Sequence, residues 1–234
     1  MAEMQEMKSN GFTQKFGVNG FMLKWIAMAS MLVDHMGAVL FPQYIQMRIV
    51  GRLAFPIYCF LLAEGAMHTS NIRKYELRLL LFACLSDVPF DLAFFGGITL
   101  EHQNVFFTLF LGVLVIEQFR SHREKWYGIG AFLLASAAAQ YMHTDYGAKG
   151  VLMILCFYWL HQFVFVNQAV FVAVNYWLAR GGVQAYAGFA AVPLLFYNGK
   201  RGPRMKYFFY VFYPLHLLVL YSVKEFGLLE LGGL

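Results

Sequence analysis

An all-α, polytopic bundle of about nine membrane-spanning helices is what this sequence predicts, and three observations predict it. Of its 234 residues, 60% are apolar or aromatic and only 13% are charged, with a mean hydropathy of +0.56. Soluble domains average about 45–50% apolar and about 25% charged, so the excess must face something other than water. Second, apolar runs close to the ~20 residues that cross a bilayer as a helix follow one another along the chain. Third, Lys and Arg collect in alternate gaps between those runs.

In chain order, residues 1–20 are polar and of mixed charge, without a small-residue cleavage site, and read as a cytoplasmic tail. Residues 21–234 then form one domain. Its apolar runs lie near 21–41, 49–67, 75–95, 103–119, 126–142, 148–163, 164–179, 183–197 and 207–226. With the amino terminus inside, segments 1–20, 68–77, 120–125, 161–167 and 198–206 hold eleven Lys or Arg. The outside loops hold three, Arg48, Lys149 and Arg180. Removing one helix would carry Lys200, Arg201, Arg204 and Lys206 outside, so loop charge selects nine spans and a bacterial inner-membrane location. The net charge of +5 is then topology, facing lipid headgroups and not nucleic acid. Cys59, Cys84 and Cys156 all fall inside apolar runs and read as small buried hydrophobes.

Ionisable groups at membrane depth cost roughly 2.5–3.5 kcal/mol on insertion scales, so each is a functional candidate. In the first run Lys24 precedes His35 by eleven positions, almost a whole number of turns. The two therefore share a helix face about 16 Å apart, as along a cleft entered from the cytoplasm. Asp34 lies about 100° round the helix from His35, so a partner for the imidazole is expected from another helix. Candidates are Glu64 on the second run and Asp87 and Asp91 on the third, the last two sharing a face beside Pro89. The two aspartates are expected to face a polar interior or pair with Arg52 or Arg78. Asn104 and Thr108 form a polar pair on the fourth run, and Tyr213 and His216 share a face of the last. The turn Tyr197-Asn198-Gly199-Lys200-Arg201-Gly202 offers basic side chains suited to phosphate, although topology alone accounts for them. No phosphate loop, zinc-binding His-Glu-x-x-His or nucleophile elbow occurs, and no metal is expected.

The ordered set Leu23-Lys24, Asp34-His35, Arg48 with Gly51-Arg52, Phe55-Pro56, Glu64-Gly65, His68-Thr69, Arg78 and Ser86-Asp87-Val88-Pro89-Phe90-Asp91 resembles the TraX family of multi-pass membrane proteins. The likeness continues through Gln103-Asn104-Val105 with Thr108, Asp145-Tyr146-Gly147, Tyr197 to Gly202 and Tyr213-Pro214-Leu215-His216. Asp87 departs from it, standing where the family more often carries Glu. The family takes its name from a protein that acetylates the amino terminus of the conjugative F-type pilin. It is similar to wider transmembrane acyltransferases, whose early helix carries a basic residue, ten intervening residues and a His, matched here by Lys24 and His35.

The resemblance implies acetyl transfer from acetyl-CoA to an acceptor amine, on a pilin or another peptide. His35 would be general base or acetyl carrier, with Asp87, Asp91 or Glu64 orienting it. Lys24, Arg52, Arg78, Lys200 and Arg201 would hold the donor, and Asn104, Tyr213 and His216 would line its site, Asn104 or Tyr213 bonding the thioester oxygen. O-acetylation of an envelope sugar or lipid keeps the same chemistry. A transporter or pilus-assembly factor uses the same buried charges without it.

Overall fold

The computed structural model describes residues 17–179 and 182–227. Most of the tail expected over 1–20, and Arg180, lie outside the described residues. The described chain is all-helical. Its elements are α1 (Gly20–Val39), α2 (Ile45–Gly51), α3 (Ala54–His68), α4 (Ile72–Phe95), α5 (Val105–Ser121), α6 (Lys125–Tyr141), α7 (Gly147–Trp159), α8 (Val164–Ala179), a 3-10 helix (Val183–Ala190), α9 (Ala191–Leu195) and α10 (Lys206–Glu225).

Each expected run carries helix, with two differences. The gap before the second run holds α2, and the eighth run is mostly 3-10 helix before it tightens into the short α9. By length and composition, Ile45–His68 is the one described segment that suffices to cross a membrane. Gly147–Trp159, Val164–Tyr176 and Val183–Leu195 are apolar but shorter.

Helix boundaries follow local chemistry. Asn19, Asn71 and Asn104 cap α1, α4 and α5, their side-chain oxygens accepting from the backbone N–H groups of Met22 (2.9 Å), Lys74 (2.9 Å) and Phe106 (3.1 Å). Gly96 ends α4 at φ 73°, in the left-handed cap that glycine adopts without Cβ strain. Burial then gathers Leu23, Ile57, Leu79, Val113, Ile154 and Leu217, from six helices, into one core. A second cluster, around Val115, Ala139 and Leu155, joins α5, α6 and α7. Of the cysteines, Cys59 is buried as expected, Cys156 half-buried, and Cys84 exposed on the outer side of α4; all three are free thiols.

Two sets of contacts define opposite ends of the bundle. At one end, Val18 N–H donates to Phe196 O (2.9 Å), Gly20 N–H to Lys200 O (2.8 Å) and Asn198 N–H to Val18 O (3.0 Å). Arg120, at the close of α5, donates to Ala66 O near the close of α3. The Lys200–Arg204 turn thus shares an end with the start of α1, the side that alternation over nine runs requires. At the other end the turn before α5 meets the turn before α7, with Gln103 N–H on His143 O (3.3 Å) and Asp145 N–H on Gln103 O (2.8 Å).

The α1 stitch leaves no room at Gly202. Its φ is 72°, and a Cβ there would come within 2.8 Å of the Asn19 carboxamide oxygen and of Phe21 Cβ. Left-handed backbone alone costs an L-residue about 1–2 kcal/mol. Gly202→Val is therefore expected to destabilise the protein by at least about 1–2 kcal/mol, read as a lowered midpoint in thermal unfolding; an unchanged midpoint would refute the tight stitch.

Candidate active site

His35 sits near the end of α1 away from the basic turn. It is buried, on the same helix face that carries half-buried Lys24. Its partner comes from α10. His35 Nδ1 lies 2.7 Å from Nε2 of His216, the two rings meeting edge to edge in nearly one plane, with centroids 5.0 Å apart and 5° between their planes. His216 Nδ1 in turn lies 2.8 Å from the carbonyl oxygen of Phe212, one turn earlier on α10.

Proton positions follow from what each group can do. A carbonyl oxygen only accepts, so His216 Nδ1 carries hydrogen and donates to it. With both rings neutral, Nε2 of His216 then holds a lone pair, and His35 Nδ1–H donates into it. That leaves Nε2 of His35 with its lone pair free and no hydrogen-bond partner among the described residues. Phe94 and Tyr213 wall the ring edge-on, at 5.3 and 5.9 Å. Tyr213 is buried, and its hydroxyl accepts the backbone N–H of Val105, the first residue of α5. Tyr213 therefore links the imidazole to the amino end of a 17-residue helix, where backbone dipoles favour negative charge.

The neighbouring Asp34 turns away from His35, as its angular offset requires. One carboxylate oxygen takes Arg52 Nη2 at 2.5 Å and the other Arg48 Nη1 at 2.8 Å. Arg52 also reaches Gln184 Oε1 on the 3-10 helix at 3.3 Å. Gly51 lets α2 lie directly on this carboxylate, because a Cβ at position 51 would overlap the Asp34 side chain. Behind the cluster, Tyr146, at φ 68°, stacks on Phe55 at 3.5 Å, and Thr108 donates to the backbone oxygen of Asp145. Desolvation by the protein around this turn pushes the Asp145 carboxyl up to about 6, against the downward pull of Arg52.

The remaining expected site residues are distributed through the bundle. None of the three carboxylates proposed to orient His35 is bonded to it. Asp87 accepts from Asn104 Nδ2 at 3.0 Å, Asp91 from Thr99 N–H at 2.9 Å, and Glu64 lies 3.6 Å from His68 Nδ1. Nor do the aspartates pair with Arg52, which is taken by Asp34, or with Arg78, which lies over the Tyr75 ring at 5.4 Å and bonds Tyr210. Asn104 is wholly buried and also donates to Ala83 O at 2.8 Å, so it locks α5 against α4. Lys24 lies over the Phe209 ring at 5.5 Å, close enough to Arg201 for their charges to repel. Lys200 and Arg201 flank this end through the stitch to Gly20. Lys24, Lys200 and Arg201 thus gather near the start of α1, while His35, Tyr213 and His216 meet nearer its other end.

The sequence places Arg48 in an outside loop and among the family-like motifs, without a role at the site. Its spacing of four from Arg52 puts both guanidiniums on one face, a signal that a shared anion lay nearby. His216 was read as part of the donor site, whereas its hydrogen bond makes it the group that orients His35.

Comparison with known proteins covers nearly the whole chain. The family model described as TraX protein matches residues 19–224. A probable fimbrial assembly protein FimC, serogroup H1, of Dichelobacter nodosus is 34% identical over 248 residues, covering 89% of this chain and 96% of that protein. Protein TraX of Escherichia coli is 27% identical over 214 residues, 85% of this chain and 84% of that one. An uncharacterized protein, RP591, of Rickettsia prowazekii (strain Madrid E) is 25% identical over 158 residues, covering 65% of this chain and 60% of that protein. No solved structure matches. The family match and the near full-length relative lead to one assignment: this chain belongs to the TraX family.

Proposed function

We propose that this chain is a multi-pass inner-membrane acetyltransferase that moves an acetyl group from acetyl-CoA to an acceptor amine, in the service of pilus or fimbrial assembly. The observation that carries the reading is the relay from Phe212 O through His216 to His35, which leaves one imidazole nitrogen unprotonated inside the bundle. A lone pair so held is what general base or nucleophilic catalysis at a thioester needs. The link to assembly is supported by the relative named a fimbrial assembly protein. Membrane location is supported by the apolar exterior, for example Leu133, Leu134 and Tyr141 on α6, exposed at 62, 74 and 86%.

In the base route the acceptor nitrogen attacks the thioester carbonyl, the C–N bond forms and the C–S bond breaks. The proton released from nitrogen passes to Nε2 of His35 and on to the departing sulfur, so CoA leaves as the thiol and the imidazole ends neutral. Tyr213, whose oxygen already accepts from Val105, keeps its own O–H to donate to the carbonyl oxygen as charge develops there. Lys24, Lys200 and Arg201, near the start of α1 and away from His35, suit the phosphates of the donor. A nucleophilic route uses the same nitrogen, and acetyl label found on the chain itself before acceptor is added would identify it.

The test is transfer from radiolabelled acetyl-CoA in membranes carrying the wild-type chain, with label followed into protein, lipid and glycan fractions and free CoA measured. Label in a polypeptide, in step with CoA release, is the expected result. Label in glycan or lipid instead would change the acceptor. Absence of label above membranes lacking the chain, with pilin and other acceptors present, would overturn the enzyme and favour transport or assembly without chemistry.

A further inference from the structure

One groove on the described surface has no part in the site above. It has a volume of about 530 Å³ and runs between α8 and α9. Helix α8 carries no charged residue over its 16 positions, so it offers a partner neither ion pairs nor electrostatic steering. Its open side presents Phe165, Ala169, Val172 and Tyr176, spaced four, three and four apart. That spacing keeps one seam in line along a helix, as in packed helix pairs. Ala169 and Ala173 are exposed in the groove and four apart, and small residues at that separation let two backbones approach closely.

The second observation is a polar one. Gln168 also lines the groove, is only 5% exposed, and its Oε1 has no hydrogen-bond partner. Asn167 and Asn175 each donate to a backbone carbonyl, of Phe157 (3.5 Å) and Phe171 (3.0 Å); Asn167 Oδ1 is also without a partner, but of these amides only Gln168 lines the groove. An unpaired amide oxygen in apolar surroundings costs free energy, and in a membrane a side-chain amide can gain a hydrogen bond by helix association.

We propose that this groove is the dimer interface of the protein, and that it is filled by α8 of a second copy packed parallel to the first across a two-fold axis. The inference rests on the membrane location proposed above, because that location sets the geometry. Two copies inserted in the same sense can be related only by a two-fold axis along the membrane normal, so the same helix from each copy must pair parallel and in register. Each residue of the seam then meets its own counterpart. A side-chain amide is both donor and acceptor, so Gln168 opposite Gln168 satisfies both groups at once. An acyl chain in the same groove would leave the amide unpaired. A charged partner would find no counter-charge on α8.

The experiment is disulfide trapping in isolated membranes. The variant Ala173→Cys is expected to give, on mild oxidation, a cross-linked species of twice the chain mass. The parent chain, whose exposed Cys84 lies on α4, should give none, and neither should Leu133→Cys on the outer face of α6. Gln168→Leu added to Ala173→Cys should lower the trapped fraction several-fold, and Gln168→Asn should restore part of it, which separates loss of pairing from loss of folding. No dimer from Ala173→Cys in membrane-inserted protein would overturn the interface while leaving the membrane location intact. Cross-links from Ala173→Cys to a different polypeptide would equally overturn it. Recovery of the chain in the soluble fraction would remove the geometry on which the pairing depends and overturn both.

Discussion

With alanine in place of His35, acetyl transfer is expected to fall to the level of membranes lacking the protein, while the amount of inserted protein stays the same. The more informative comparison is at His216. Phenylalanine there keeps the aromatic packing against Phe212 but removes the acceptor for His35 Nδ1–H. The imidazole is then free to take the other tautomer, with its proton on the nitrogen that faces the acceptor. Mis-set tautomers and lost base catalysis cost between about 10²- and 10⁴-fold in other enzymes, and a kcat loss in that range is expected for His216→Phe. Because Lys24 and the basic turn are untouched, KM for acetyl-CoA should hold. His216→Gln places an amide oxygen where Nε2 stood and should recover part of kcat. Equal losses for Phe and Gln, or a change confined to KM, would reduce His216 to a packing residue.

The second large effect is on stability. Asp34 holds two guanidiniums at 2.8 and 2.5 Å, with side-chain exposures of 10% for itself, 31% for Arg48 and 14% for Arg52. Removing one partner from a buried ion pair costs about 3–5 kcal/mol, mostly through the charge left behind. Asp34→Ala leaves two such charges, but Arg48 keeps enough contact with solvent to soften its share, so about 3 kcal/mol is expected. Arg48→Ala, which leaves Asp34 still paired with Arg52, should cost about 1 kcal/mol or less. Unfolding midpoints of the two variants in the same detergent check this order. A larger loss from Arg48→Ala than from Asp34→Ala would mean that the cluster is organised around Arg48.

The sequence was informative where one helix decides the answer and silent where two must meet. Runs of apolar residues locate helices because the need to bury or exclude them from water is local to each segment, and Lys24 and His35 share a face because 3.6 residues make a turn. The basic turn at Lys200 fell on the end shared with the start of α1 for the same reason: alternation along the chain settles parity. By contrast, the partner of His35 is 181 positions away, and nothing in periodicity ranks His216 above Asp87, Asp91 or Glu64. Charge intuition favoured a carboxylate, yet Asp87 and Asp91 satisfy capping and loop groups, Asn104 and the Thr99 backbone, that lie nearer in space. Helix α2 was missed because it is only seven residues long. Its use is to lay Arg48 and Arg52 on Asp34, a contact that depends on Gly51 having no side chain.

The distance in sequence between the paired histidines also governs when the protein can begin to work. A ribosome adding about 5–20 residues per second needs roughly ten to thirty-five seconds to travel from His35 to His216. Throughout that interval the first helix is in place with its imidazole unoriented, and any chain that stops before the final helix stays in that condition. Under the proposed function, activity therefore arrives only once α10 has been made, and a product truncated before α10 is expected to consume no acetyl donor.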